Sequence, residues 1–202
     1  MKYSLPPQDN VWEQFSKEIS GQYFSGGIRG GYWAGESGVL CRHNGATIQF
    51  DTYQEVLNAS LPKYTRVQAR YSSPEPIDFS IRSSCLIDRL LSQLPSYSIK
   101  TEYKDFNSSF ICKASNELHF KEIMESSLIR HLISQPSELL LKSKTKHGWG
   151  IFSTPLPAGE AELYLRVPGI EKDIKRLKLY HQIITELLDR MAVVSLRHAA
   201  AP

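Results

Sequence analysis

The strongest structural signal in the chain is a strand followed by a long amphipathic helix near the C-terminal end. Residues 162–167 have the composition of a strand, Pro168-Gly169 interrupts them, and an apolar stripe at helical spacing runs from residue 170 to about residue 194. A helix with such a broad apolar face must pack against another element, and the strands upstream supply one. We therefore predict that this helix covers a β-sheet.

Upstream of this unit, the sequence predicts an antiparallel meander. Asn44-Gly45, the preferred pair for a type I′ turn, separates the strand-like segments 39–42 and 47–53. Residues 64–71 alternate between apolar and polar side chains, as in a strand that is buried on one face. After a proline-rich turn, residues 77–81 are predicted to continue the meander.

The remaining elements follow from caps, prolines and periodicity. We predict helices over 9–20, 85–94 and 117–133, a strand over 110–114, and a hairpin of 138–146 against 149–153 that turns at His147-Gly148. The fold class predicted from this order is α+β, with antiparallel sheets and helices packed on one face.

Residues 1–202 are interpreted as a single compact α+β domain. The element order is also compatible with two tandem β-α-β-β-β-α-like halves, 8–95 and 105–195, with a hinge near 96–104. No identity at a fixed period demonstrates a duplication, so both descriptions stay open.

Composition excludes several classes of protein. Lys and Arg exceed Asp and Glu by only three, whereas a nucleic-acid-binding protein carries a much larger basic excess. No run approaches the roughly 18 apolar residues of a membrane span, and the N-terminus lacks the apolar segment of a signal peptide. Three widely spaced cysteines without a C-x-x-C motif favour a reducing compartment. We expect a soluble cytoplasmic protein that does not insert into membranes. Binding of nucleic acid through a concave sheet of tandem halves ranks last among the functional hypotheses, because the net charge is only +3.

Motifs for catalysis or cofactor binding are missing from the sequence. The glycine-rich segment 26–31 lacks the Gly-Lys-Ser/Thr ending of a phosphate-binding loop, and no G-x-S-x-G elbow occurs. The six histidines show no metal-ligand spacing. We therefore predict no metal ion and no cofactor.

Basic residues supply the candidate binding site. Lys142, Lys144 and Lys146 alternate, which places them on one face of a strand, and His147 and Trp149 follow at the predicted turn. Together with Arg66 they form a candidate surface for phosphates or another anionic group, with Trp149 as a stacking platform. The alternative is a solvated charged face that keeps the protein soluble.

Four segments resemble a known family. They are Gln-Phe-Asp-Thr-Tyr at 49–53, Tyr-Thr-Arg at 64–66, Asp-Phe-Asn-Ser-Ser-Phe at 105–110, and 162–165 leading into 170–177. Their order resembles a family of uncharacterised bacterial proteins of about this length. The family's central motif reads Asp-x-x-Phe-Asp-x-x-Phe-x-Val; Phe106 and Phe110 fit, whereas Asn107 replaces the second Asp and Cys112 the Val. The resemblance implies one conserved fold and a bacterial source, without a reaction.

The leading functional hypothesis is a noncatalytic binding or interaction module that presents a sheet face or groove to a protein, a peptide or a small molecule. The alternative is a hydrolase or transferase whose site draws on Asp51, Arg66, Asp105 or His147. Convergence of at least two of these in a deep pocket would favour the enzyme. Self-association as a homo-oligomer is compatible with either hypothesis.

Overall fold

The computed structural model describes residues 7–25, 27–29, 32–34, 37–54, 63–85, 98–147 and 154–199. Its helices are α1 (Pro7–Glu18), α2 (Lys104–Ser109), α3 (Glu117–Met124), α4 (Ser127–Ser134) and α5 (Ile174–Ala199). Its strands are β1 (Gln22–Phe24), β2 (Gly27–Arg29), β3 (Tyr32–Ala34), β4 (Gly38–His43), β5 (Ala46–Tyr53), β6 (Tyr64–Ser72), β7 (Phe79–Ser83), β8 (Phe110–Ala114), β9 (Leu140–Lys144), β10 (Lys146–His147), β11 (Thr154–Pro155) and β12 (Glu160–Pro168).

Eight of these strands form one sheet in the order β1-β4-β5-β6-β12-β9-β7-β8. Every pairing in this sheet is antiparallel. The pairs β2–β3 and β10–β11 form separate two-stranded ribbons. The predicted α+β class with an antiparallel sheet is confirmed.

The hydrophobic core lies between one face of this sheet and the helices. Phe50 of β5 meets the ring of Phe15 from α1 edge-on, with 4.9 Å between centroids, and Phe79 of β7 lies 5.7 Å from Phe120 of α3. The long helix α5 packs against β6, β12 and three of the other helices. Its buried apolar residues are Leu177, Tyr180, Ile183, Ile184, Leu187, Leu188, Met191 and Val194. The amphipathic helix therefore covers the sheet, as its stripe predicted.

The start of α5 differs from the predicted one, because Pro168-Gly169 is followed by a capped turn before the helix begins at Ile174. The Glu171 carboxylate accepts hydrogen bonds from the backbone N–H groups of Lys172 and Asp173. Glu171 also accepts from the Trp12 indole through its carbonyl, at 3.1 Å, and from the Tyr180 hydroxyl through its carboxylate, at 2.9 Å. This turn thus connects α1 to α5.

The β4–β5 hairpin was predicted correctly. Asn44 and Gly45 both have positive φ angles, 46° and 85°, as a type I′ turn requires. The strand over 64–71 is also observed, as β6. The predicted helix over 85–94 falls almost entirely on residues 86–97, outside the described part of the chain.

The predicted continuation of the meander through residues 77–81 was wrong. Strand β7 pairs with β8 and β9 rather than with β6. The Asp78 carboxylate fixes this placement, because it accepts a hydrogen bond from the Thr145 backbone N–H at 2.7 Å. For the hairpin predicted between 138–146 and 149–153, the structure places β9, within the first arm, between β7 and β12. An antiparallel ribbon follows it, in which Lys146 pairs with Pro155 and His147 with Thr154. The second arm, 149–153, lies outside the described residues, so the hairpin stays a prediction.

The single helix predicted over 117–133 is in fact two helices. Ser126 adopts an extended backbone conformation between them, and its side chain accepts a hydrogen bond from the Ile129 N–H. Asn116 caps α3 in the same way through the His119 N–H. A second capping residue inside an apolar periodic run thus ends one helix and starts the next.

The seam between β6 and β12 divides the sheet into β1-β4-β5-β6 and β12-β9-β7-β8. Strand β7 belongs to the second group, although its residues lie within the predicted first half, 8–95. The duplication and the boundaries of the two halves stay predictions.

Candidate binding face of the sheet

The sheet face opposite the helix-packed core carries side chains in rows that cross the strands. Three neighbouring rows contain all of its cations. The first row contains Asp51, Arg66, Arg166, Leu140, Arg82 and Ile111. The second row contains Leu40, Gln49, Gln68, Tyr164, Lys142, Ser80 and Lys113. The third row contains Arg42, Thr47, Arg70, Glu162 and Lys144. We call these residues the basic face.

The charge of the basic face is strongly one-sided. Its eight cations are Arg42, Arg66, Arg70, Arg82, Lys113, Lys142, Lys144 and Arg166, and its two carboxylates are Asp51 and Glu162. A third carboxylate, Glu160 at the start of β12, lies on the same side of the sheet. Among the described residues this side therefore has an excess of five positive charges, more than the formal +3 of the whole chain. Strand alternation concentrates on one face a basic excess that the total composition conceals.

Asp51 is held by Arg66 from the neighbouring strand. The Arg66 Nε donates to Asp51 Oδ1 at 2.7 Å, and Nη2 donates to Oδ2 at 2.6 Å. The Gln49 amide adds a third hydrogen bond to Oδ2 at 2.9 Å. Because the Asp51 side chain is only 7% exposed and both oxygens are occupied, this carboxylate serves as a structural counter-ion.

Glu162 is the second carboxylate and is almost completely buried. Its side chain is 2% exposed and accepts from Lys144 Nζ at 3.1 Å and from the Gln68 amide at 3.4 Å. Arg70 Nε lies 4.0 Å from its second oxygen. Both acidic side chains of the basic face thus serve to anchor cations in position.

The cations also repel one another. Burial is the main reason why the pKa of Lys142 is lowered, and the neighbouring charges of Arg166 and Lys144 lower it further. An anion placed beside Lys142 would relieve that repulsion.

Aromatic rings line the same face. Lys144 Nζ lies 5.7 Å from the ring centroid of Tyr164, which is only 4% exposed, and the Arg166 guanidinium lies 4.3 Å from the ring centroid of Tyr64. These cation–π contacts limit the positions that the two cations can adopt. Neither tyrosine was predicted as a site residue.

The structure brings together three of the six predicted site residues. Arg66, Lys142 and Lys144 belong to the basic face. Lys146 and His147 form β10, which continues beyond β9 as part of a separate ribbon. Trp149 lies outside the described residues. Arg42, Arg70, Arg82, Lys113 and Arg166 were missed as site residues, because only the strand order places them beside the others.

The four residues of the alternative catalytic hypothesis have different surroundings. Asp51 and Arg66 are in contact, but they satisfy each other's hydrogen bonds. Asp105 is exposed in the first turn of α2. This helix leads into β8 at one edge of the sheet, whereas Asp51 lies on β5, near the other edge. For His147 the structure describes only the backbone. The enzyme hypothesis stays a prediction.

Histidines form two small clusters outside the basic face. The rings of His119 and His198 stack with centroids 3.8 Å apart, and His198 Nε2 lies 3.0 Å from Glu122 Oε1. His43 Nε2 lies 2.8 Å from Asp189 Oδ1. Within the described ranges, no group of three or more His, Cys, Asp or Glu side chains has a geometry that would hold a metal ion. Likewise, none of the described helices is long and apolar enough to cross a membrane.

In the part of the chain that the structure describes, two cavities large enough to hold a small ligand border α5. One is a groove of about 520 Å³ between the C-terminal half of α5, the β4–β5 turn and the segment that follows β6. The other, of about 490 Å³, lies near the start of α5 and is lined by Glu18, Ile19, Gln135, Lys175, Lys178, Leu179, His181 and Gln182. Neither cavity includes a residue of the basic face.

Neither a protein-family model, nor a curated protein, nor a solved structure matches this chain. The resemblance to a bacterial family therefore stays a prediction.

Proposed function

We propose that this protein is a noncatalytic binding module that holds an acidic protein segment on the basic face. The observation that supports this function best is the excess of five positive charges on one face of the sheet. Clustered cations on a surface raise the local concentration of an acidic partner and speed its association.

The dimensions of the face favour an extended segment over a small anion. The cations are distributed from β4 to β8, across seven neighbouring strands. At about 4.8 Å per strand, this corresponds to roughly 29 Å. A single phosphate or carboxylate would contact one part of this width, whereas an extended acidic segment would reach cations on several strands, including the exposed Arg42 and Arg70.

Nucleic acid fits the charge distribution less well. With +3 on the whole chain and an excess of five on this side of the sheet, the remaining residues have a net negative charge. A duplex has phosphates that extend beyond its contact with the sheet, and the rest of the chain offers them no basic excess. An acidic segment would contact the basic face alone.

A titration with a fluorescein-labelled oligoglutamate peptide tests the proposal. Arg42 and Arg70 are both exposed, so the double variant Arg42→Ala/Arg70→Ala removes two charges without opening the core. We expect this variant to bind the peptide roughly tenfold more weakly, because it loses two ion pairs at the exposed edge of the interface. The control Lys17→Ala/Lys175→Ala removes the same charge from exposed positions on α1 and α5 and should bind as the wild type does.

Three outcomes would contradict the proposal. They are equal loss in both double variants, peptide binding that does not weaken as salt is added, and tighter binding of a DNA duplex than of the peptide. The last would assign the face to nucleic acid.

We also propose a reducing, cytoplasmic location. Cys41 and Cys112 are free thiols buried in the core. Burial raises the pKa of Cys41 to about 11 and that of Cys112 to about 12, so both stay protonated at neutral pH. The midpoint of thermal unfolding should therefore be the same with and without a reducing agent.

A further inference from the structure

We infer that α5 carries an interface through which two copies of this chain associate about a two-fold axis. The evidence comes from the groove beside the C-terminal half of α5 and is independent of the basic face. Along the groove, α5 exposes a short apolar stripe of Ala192, Val193 and Leu196.

The apolar stripe is unusually exposed for its composition. Val193 is 43% and Leu196 63% exposed, and both belong to the few large apolar side chains that the described residues leave in solvent. They lie one turn apart and border the same cavity of about 520 Å³. Together with the groove they provide an apolar surface that a partner can cover.

The spacing of charged residues on α5 favours a second copy of this chain as the partner. Asp189, Val193 and Arg197 are spaced by four residues and therefore form one ridge of the helix surface. Packing such ridges against each other is the commonest class of helix contact. When two copies of α5 pack in this way about a two-fold axis at Val193, Asp189 of one copy lies beside Arg197 of the other.

This arrangement is complementary in charge and in shape. It forms two Asp189–Arg197 pairs, one on each side of the axis, because a two-fold interface repeats every contact. Both hydrogen bonds to Asp189, from His43 and Asn44, end on Oδ1, and the side chain is 47% exposed. Oδ2 is thus positioned for the guanidinium of the second copy, while Leu196 of each copy enters the groove of the other.

The expected affinity is modest. A contact of little more than two helical turns and one groove wall buries less than the roughly 1,600 Å² of a standard interface. We therefore expect a monomer–dimer equilibrium with a dissociation constant of about 10 μM to 1 mM.

Sedimentation velocity across that concentration range provides the first test. The wild type should shift from monomer to dimer, and Leu196→Asp should stay monomeric because it places a charge in the groove. Leu118→Asp is the matched control, since Leu118 is 61% exposed on α3, away from the groove. A wild type that is monomeric at about 1 mM, or equal loss of the dimer in both variants, would overturn the inference.

A charge exchange tests the register. Asp189→Arg and Arg197→Asp each convert both pairs into repulsive ones, so each variant alone should dimerise about tenfold more weakly. An equimolar mixture of the two variants should form a heterodimer, because all pairs are then opposite in charge. Circular dichroism establishes that both variants are folded, which matters because Asp189→Arg also removes the contacts with His43 and Asn44. Folded variants that do not associate when mixed would refute the two-fold arrangement.

Discussion

Arg66 on β6 faces Asp51 on β5, and its guanidinium donates one hydrogen bond to each carboxylate oxygen, at 2.7 and 2.6 Å. Arg66→Met should lower the free energy of unfolding by about 2 kcal/mol, because it leaves the buried Asp51 carboxylate without its main partner. Urea denaturation measures this change. Lys17→Met breaks the exposed contact with Glu13 and should cause no measurable loss. Equal stability of Arg66→Met and the wild type would show that the pair has no structural role.

Lys142 should make the free energy of unfolding depend on pH in the alkaline range. Because its pKa is lowered in the folded protein, the unfolded chain binds more protons in the window between that lowered value and the ordinary 10.5. Stability contributed by this group therefore rises with pH through the window. Lys142→Met should remove that rise, as measured by urea denaturation from neutral to alkaline pH, and should weaken binding of the acidic peptide. A variant with the same pH slope as the wild type would contradict this account.

His181 should make the protein sensitive to mild acid. Burial and the nearby His43 lower its pKa below 6.5, and its ring lies 6.2 Å from that of Phe50. The unfolded chain therefore binds more protons as the pH falls below about 6.5, so the stability that neutral His181 contributes is present above that pH and is lost below it. His181→Asn should show a shallower loss of thermal stability in acid. His131→Asn, at an exposed position on α4, should behave as the wild type does.

Two residues of α3 should differ sharply in their effect on stability. Phe120 is fully buried against Phe79, whereas Leu118 is 61% exposed on the same helix. Phe120→Ala should cost about 3–5 kcal/mol through the lost burial and the remaining cavity. Leu118→Ala should stay within about 0.5 kcal/mol of the wild type. Chemical denaturation distinguishes these values, and similar losses in both variants would contradict the observed orientation of α3.

Local patterns predicted much of the fold. Asn44-Gly45 encodes its turn in two residues, and the stripe on α5 requires only the spacing of apolar side chains. The strand order depends instead on contacts that are distant in sequence. Nothing within residues 77–81 indicates that β7 lies between β8 and β9, because the bond from Thr145 to Asp78 joins two separate parts of the chain.

The candidate site was predicted in part for the same reason. The alternation of Lys142 and Lys144 places both on one face, and the alternation in β6 does the same for Arg66 and Arg70. No sequence pattern shows that β12 lies between β6 and β9 and brings these two groups to one surface. The break at Ser126 was missed because apolar spacing continues across it, although a serine cap was the available signal.

The position of β12 also sets an order of events during synthesis. Strand β12 fills the centre of the sheet, between β6 and β9, yet it follows the other seven strands of that sheet in chain order. Until β12 is synthesised, β6 and β9 each lack a neighbour on one edge, and an unpaired edge can capture a strand from another chain. Completion of the sheet therefore waits for β12, and the nascent chain is most vulnerable to aggregation just before β12 emerges.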